Sequence, residues 1–141
     1  MKRLNVPLLL MVREAILKEP KQFIMDHWFS DQTDIRKRGT DYRHRPNAYE
    51  IPNCGTAACI AGWVVTIGNG KTPREIAIQH LLGVKTEACN LLNVDGYDAS
   101  FLFYVTNWSP HYRKAWKATR SPAKRALIAA KVIDNFIRRH K

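Results

Sequence analysis

Acidic residues are scarce in the last third of this sequence. After residue 100 a single one, Asp134, stands against ten lysines and arginines, a local net of +9. Before that point 13 basic residues meet 11 acidic ones, so most of the chain's formal charge of +11 lies in the C-terminal segment. A charge of one sign gathered in one stretch disfavours a cationic partner and favours an anionic one.

Cysteine is scarce as well. Cys54, Cys59 and Cys89 are an odd number in a chain of 141 residues, which is long enough to be held by its own core. That excludes a disulfide framework as the main source of stability and predicts reduced thiols in a cytoplasmic protein. Long apolar runs are missing too. Val6 to Val12 is interrupted by Pro7 and closed by Arg13 and Glu14, too short a run for a secretory signal. The uncharged stretch from Ile51 to Gly70 is broken by Pro52 and Asn53. It leaves about a dozen apolar residues where a membrane span needs about 20. Neither export nor a membrane partner is expected. With 45% hydrophobic and 25% charged residues, the chain has the balance of one globular domain spanning 1–141.

The periodicity predicts a mainly α fold of about five to seven helices. Asn5 caps a first helix whose Leu8, Met11, Val12, Ala15 and Ile16 recur at helical spacing until Glu19-Pro20. From Lys21 to Phe29 a short helix and an irregular apolar segment fit equally well. Residues 30–53, with Asp31, Gly39, Pro46 and Pro52, read as a long polar loop. A helix from about Thr56 to Ile67 is apolar all round, as a central buried helix should be. Thr72-Pro73-Arg74-Glu75 is a capping box for a helix through Leu82. Thr86 is expected to cap a shorter helix over Glu87 to Leu92, followed by a turn from Asn93 to Asp98. That turn is not a calcium loop, because its glycine comes too early and Tyr104 stands where a glutamate is required. Phe101 to Val105 has no strand partner of comparable quality and reads as helix or extended core. Ser109-Pro110 and Ser121-Pro122 open the last two helices, the second with Ala126, Ala129, Ala130, Ile133, Phe136 and Ile137 on one stripe.

The most distinctive run is Cys54-Gly55-Thr56-Ala57-Ala58-Cys59-Ile60-Ala61-Gly62-Trp63. Gly55 and Thr56 at a helix start would leave amides open to an anion such as a nucleotide phosphate. Against this, Gly55, Ala58, Cys59 and Gly62 share a side where small residues admit a neighbouring helix, and packing is the favoured account. Cys54 as a nucleophile needs a base, and nothing selects one among His27, His44, His80 and His111. A zinc site from the cysteines is disfavoured because their spacing is not that of a knuckle. No catalytic residue, metal or cofactor is assigned. The run resembles a Cys-Gly-Thr-x-x-Cys-x-Ala-Gly-Trp run of small uncharacterised proteins of bacteria and their phages. The resemblance takes in Phe23 to Trp28, Leu81 to Gly83 and Trp108 to Pro110, but it implies no activity and transfers no site residues.

Function is therefore sought in the charge. Lys124, Lys131 and Arg138 lie opposite the apolar stripe of the last helix, with Arg125 and Arg139 at its edges. Arg113, Lys114, Lys117 and Arg120 precede them, with Tyr112 and Trp116 alongside. A second cluster, Arg36, Lys37, Arg38, Arg43 and Arg45, lies in the polar loop. Cations interleaved with aromatics suit phosphates and stacked bases, and Trp116 is the candidate stacking ring. The same pattern also arises when aromatics face the core and cations merely solvate a helix. The expectation is a non-enzymatic nucleic-acid-binding protein. The alternative is a phage-type inhibitor that sequesters a small anionic nucleotide or binds an acidic host protein.

Overall fold

Asn5 ties the start of the first helix to the end of another. Its side-chain oxygen accepts from Leu8 N at 3.2 Å, capping α1 (Val6–Lys18). Its backbone N–H and side-chain amide donate to Leu92 O and Leu91 O at 2.9 and 3.1 Å. The computed structural model describes residues 3–25, 29–31, 56–71 and 84–140. The capping box at Thr72, the loop after Asp31, and Cys54 and Gly55 lie outside them.

The described residues form a mainly α architecture of six helices. After α1 come a 3-10 turn, Pro20–Gln22, and a short ribbon of β1 (Phe29–Asp31) and β2 (Thr56–Ala58). The helices α2 (Ile60–Gly68), α3 (Val84–Leu92) and α4 (Gly96–Phe103) follow. A 3-10 turn, Val105–Asn107, leads to α5 (Pro110–Lys117) and α6 (Pro122–Arg139).

Helix α2 is the centre of the core. Every residue from Ile60 to Thr66 is buried, between α1 on one side and α3 on another. The single buried polar side chain of the helix, Thr66, donates its hydroxyl to Gly62 O at 2.7 Å and so carries no unpaired group inside. The helix ends in a Schellman turn. Gly70, at φ +66°, donates to Ile67 O and Lys71 donates to Thr66 O, so the last carbonyls are satisfied. The end of α3 repeats this with Asn93 at φ 60°, its own N–H on Asn90 O and that of Val94 on Cys89 O. The αL backbone suits glycine and asparagine best, which accounts for both residues.

Several expected boundaries move. Helix α2 begins at Ile60, because Thr56–Ala58 is drawn into antiparallel pairing with Phe29–Asp31 and Phe23 bridges Ala58 from the other side. Its cap is Cys59, whose sulfur accepts from Gly62 N at 3.5 Å. Thr86 lies inside α3, which starts two residues earlier with the buried Val84. Asp95 caps α4 by accepting from Asp98 N at 2.7 Å, so helix begins where a turn was expected. In α1 the buried face is Leu8, Leu9, Val12 and Ile16, and Met11 is 56% exposed.

The predicted starts of α5 and α6 hold, with Pro110 and Pro122 in their first turns and Ser121 Oγ accepting from Lys124 N. The expected stripe of α6 from Ala126 to Ile137 is buried throughout and packs on α1, α4 and α5.

The Schellman turn gives a direct test. Replacing Gly70 by alanine puts a Cβ on an αL backbone, with a cost of about 1–2 kcal/mol. No atom stands within 4 Å of the added carbon, so sterics with neighbours contribute nothing. Urea unfolding of Gly70→Ala should show a lower midpoint at unchanged slope, and Asn93→Gly should be neutral or slightly stabilising.

Candidate functional site

A short helix and a long one joined by a tight turn present the cations. Helix α5 carries Arg113, Lys114 and Lys117, and Arg120 follows in the turn. Helix α6 then carries Lys124, Lys131 and Arg138, spaced by seven residues. Seven residues advance a helix by about 10 Å and rotate it only about 20° short of two turns, so these three form one row along the outside of α6. Lys114, Lys117, Arg120, Lys124, Lys131 and Arg138 are all exposed, and Arg113 is half-buried.

Little neutralises this row. Arg113 donates to Thr106 O at 3.0 Å and Arg138 to Asn135 Oδ1 at 3.1 Å, both uncharged acceptors. The only acid of the segment, Asp134, is met instead by Arg13 of α1, with Nε 2.9 Å from its carboxylate. The Nε–H does not point along that contact, so the pair is Coulombic rather than hydrogen-bonded. Exposed pairs of this kind add at most about 1 kcal/mol to stability. The consequence for the surface is larger: the one anion of α6 is engaged by another helix, and its own cations keep their full charge.

Trp116 does not serve as an open stacking ring. It is only 6% exposed and meets Phe23 and Trp108 edge to face at centroid distances of 5.8 and 5.3 Å. Arg125 seats its guanidinium over the ring, 4.5 Å from the centroid. The packing alternative weighed for this residue is the one realised, because the helix turns its aromatic edge toward the N-terminal segment. Among the described residues the exposed aromatics are Tyr97, 74% exposed, and Phe101, which meet edge to face on α4 at 5.2 Å. His140, at the end of α6, comes within 3.9 Å of Asp98, the neighbour of Tyr97, so the start of α4 lies near the end of α6. Helical i, i+4 spacing was the available signal for the aromatic pair, but its exposure depends on which face of α4 the core takes.

Beside Trp116 lies a half-open cleft of about 360 Å³. Phe23, Met25 and Pro122 give it apolar walls, and Lys21, Arg120 and Arg125 bring charge to it. Arg125 is held in place: Nε donates to Thr119 O at 2.8 Å and Nη2 to Trp116 O at 3.4 Å. A guanidinium has five N–H donors, so most of its fork stays open to a further acceptor. Sequence reasoning placed Arg125 at the edge of a stripe and gave it no role, since its partners come from the preceding helix and turn.

The alternative weighed at Gly55 and Thr56, an anion cradle at a helix start, does not find Thr56 in a helix. Thr56 sits in β2, and the first-turn residues of α2, Ile60 to Gly62, are buried and capped by Cys59. Gly55 lies outside the described residues, as do Arg36, Lys37, Arg38, Arg43 and Arg45 of the second basic cluster. No group of three or more His, Cys, Asp or Glu able to hold a metal occurs among the described residues, and no helix there is long and apolar enough to cross a membrane.

Burial pushes the Cys59 thiol up to about 12, against backbone hydrogen bonds that favour the thiolate. Burial also raises Cys89. Below the ordinary value of 9.0 folded and unfolded chains both keep the Cys59 proton; between there and about 12 only the unfolded chain loses it. Stability should therefore fall as pH rises through that window. Iodoacetamide should leave Cys59 unmodified in the folded protein and label it after unfolding, as read by peptide mass mapping. Compared with family models, with curated proteins and with solved structures, the chain finds no match.

Proposed function

We propose that this protein binds nucleic acid through the outer surface of α5 and α6. The observation that carries the proposal is the row of exposed cations from Lys114 to Arg138, in a segment whose one acid, Asp134, is engaged by Arg13. A duplex carries one negative charge per about 1.7 Å of its axis, so a row of cations about 10 Å apart on α6 meets a dense polyanion along its whole length. Such a row releases condensed counterions on binding and needs no active site. The exposed Tyr97 and Phe101 supply ring surface for unpaired bases, a role Trp116 is too buried to fill.

Fluorescence polarisation with single- and double-stranded DNA and RNA across a salt series tests this. The logarithm of affinity should fall linearly with the logarithm of salt. Each of Lys117→Glu, Lys124→Glu and Lys131→Glu should weaken binding on all sequences and lower the salt slope by about one or more. Tyr97→Ala should weaken single-stranded ligands more than duplex. Absence of binding at low salt would sink the proposal. Polyglutamate competing as well as nucleic acid at equal charge would transfer the surface to an acidic protein partner.

A further inference from the structure

The cleft beside Trp116 is built differently from the open cation row. Its charge is held in a fixed geometry. Arg125 is clamped between the indole of Trp116 and the carbonyls of Trp116 and Thr119, which fixes the direction of its remaining donors. Arg120, exposed at the mouth, makes no hydrogen bond or ion pair with any described residue. The lining also takes in Phe23 and Met25 of the N-terminal segment, with Lys21 beside them, and Pro122. Two guanidinium groups can grip one phosphate, and a planar fork suits a phosphoryl group better than a point charge does. Inorganic phosphate would leave the apolar walls empty. A phosphate carrying a flat, partly apolar body fills both halves, and a volume of about 360 Å³ lies in the range of small-ligand clefts, about 300–1,000 Å³.

We propose that this cleft binds one phosphorylated nucleotide, with the phosphate on Arg120 and Arg125 and the base against Phe23, Met25 and Pro122. The choice of a nucleotide among flat phosphomonoesters rests on the nucleic-acid reading of the surrounding surface; the phosphate site rests on the cleft alone. The nucleotide has two sources with the same chemistry, a free mononucleotide and the phosphorylated end of a strand. Arg120 lies both at the mouth of the cleft and in the cation row, so either source reaches it.

Isothermal titration calorimetry of the full chain at low salt, with AMP, GMP, CMP and UMP and with inorganic phosphate, tests the proposal. One mononucleotide should bind per chain, at least about tenfold more tightly than phosphate, a difference of about 1.4 kcal/mol. Arg120→Ala, at an exposed position, and Arg125→Lys, which keeps the charge but loses the fork, should each weaken it by about tenfold. Lys131→Ala, on the row but away from the cleft, should not. Circular dichroism melts of the variants keep a folding defect from passing as lost binding. Tighter binding of 5′-phosphorylated than of unphosphorylated oligonucleotides, lost in Arg125→Lys, assigns the strand end as a source. Equal binding of the two oligonucleotides alongside mononucleotide binding assigns the free nucleotide. Phosphate binding as tightly as nucleotides, or Lys131→Ala weakening them equally, overturns the proposal. Oligonucleotide binding without any mononucleotide binding overturns it and leaves the nucleic-acid reading standing; mononucleotide binding without oligonucleotide binding does the reverse.

Discussion

The indole of Trp116 is where the two ends of the chain meet. Phe23 reaches it from the N-terminal segment, Trp108 from the turn before α5, and Arg125 from the second turn of α6. The contact with Arg125 is reinforced by hydrogen bonds within the turn, from Nε to Thr119 O and from Nη2 to Trp116 O, so ring and turn together hold α5 against α6. Edge-to-face aromatic pairs add about 0.5–1.5 kcal/mol each beyond their buried area, and a cation over indole adds a comparable amount. Removing the ring would leave a cavity among these groups and an arginine without its seat, an effect of about 3–5 kcal/mol for the ring alone. Both the cation row and the cleft inherit their geometry from this one packing event.

The order of charge along the surface has a physical cause in the same place. An amphipathic helix with its stripe on Ala126, Ala129, Ile133 and Phe136 must face its remaining side chains outward, and in α6 those include five lysines and arginines against one acid. In an ordinary helix, acids at neighbouring positions would pair with them. Here Asp134 is the one acid available, and Arg13 of α1 meets it across the helix interface. The contact holds α1 against α6 in a small way and leaves the outer row without a counter-charge within the helix. A surface built like this repels copies of itself and draws polyanions over distances of about a Debye length, ~8–10 Å at physiological salt.

Local signals in the sequence survive where the backbone decides them. Asn5, Ser121 and the prolines after Ser109 and Ser121 act through hydrogen bonds and φ angles within a few residues, and the helices begin where those residues say. Signals fail where a distant segment competes. Thr56-Ala57-Ala58 has small side chains compatible with either state, and pairing with Phe29–Asp31 takes it out of α2. Met11 and Leu9 both fit a helical stripe around Val12, and only the docking of α1 on α2 and α6 selects Leu9. The central helix itself was legible because apolar residues on every side leave no other place for it. Trp116 was legible as aromatic and helical but not as buried, since its partners Phe23 and Arg125 come from elements that spacing within α5 does not reveal.

Arg120 and Arg125 show how one short turn can join an unspecific surface to a specific one. The four residues that separate them, Ser121 to Lys124, lead from the turn into α6, and over that distance exposure falls from the open Arg120 to the half-buried Arg125. An exposed cation among mobile counterions attracts any phosphate, with an energy that salt erodes. A guanidinium backed by an indole and fixed by carbonyls acts in a less polar setting, where a hydrogen bond to an anion is stronger and salt screens it less. A phosphate moving along the row from Lys131 through Lys124 toward Arg120 therefore passes from weak, uniform attraction to a site with direction and walls. Discrimination between ligands has to arise at that end of the surface, because the row itself presents the same flexible ammonium groups to every phosphate.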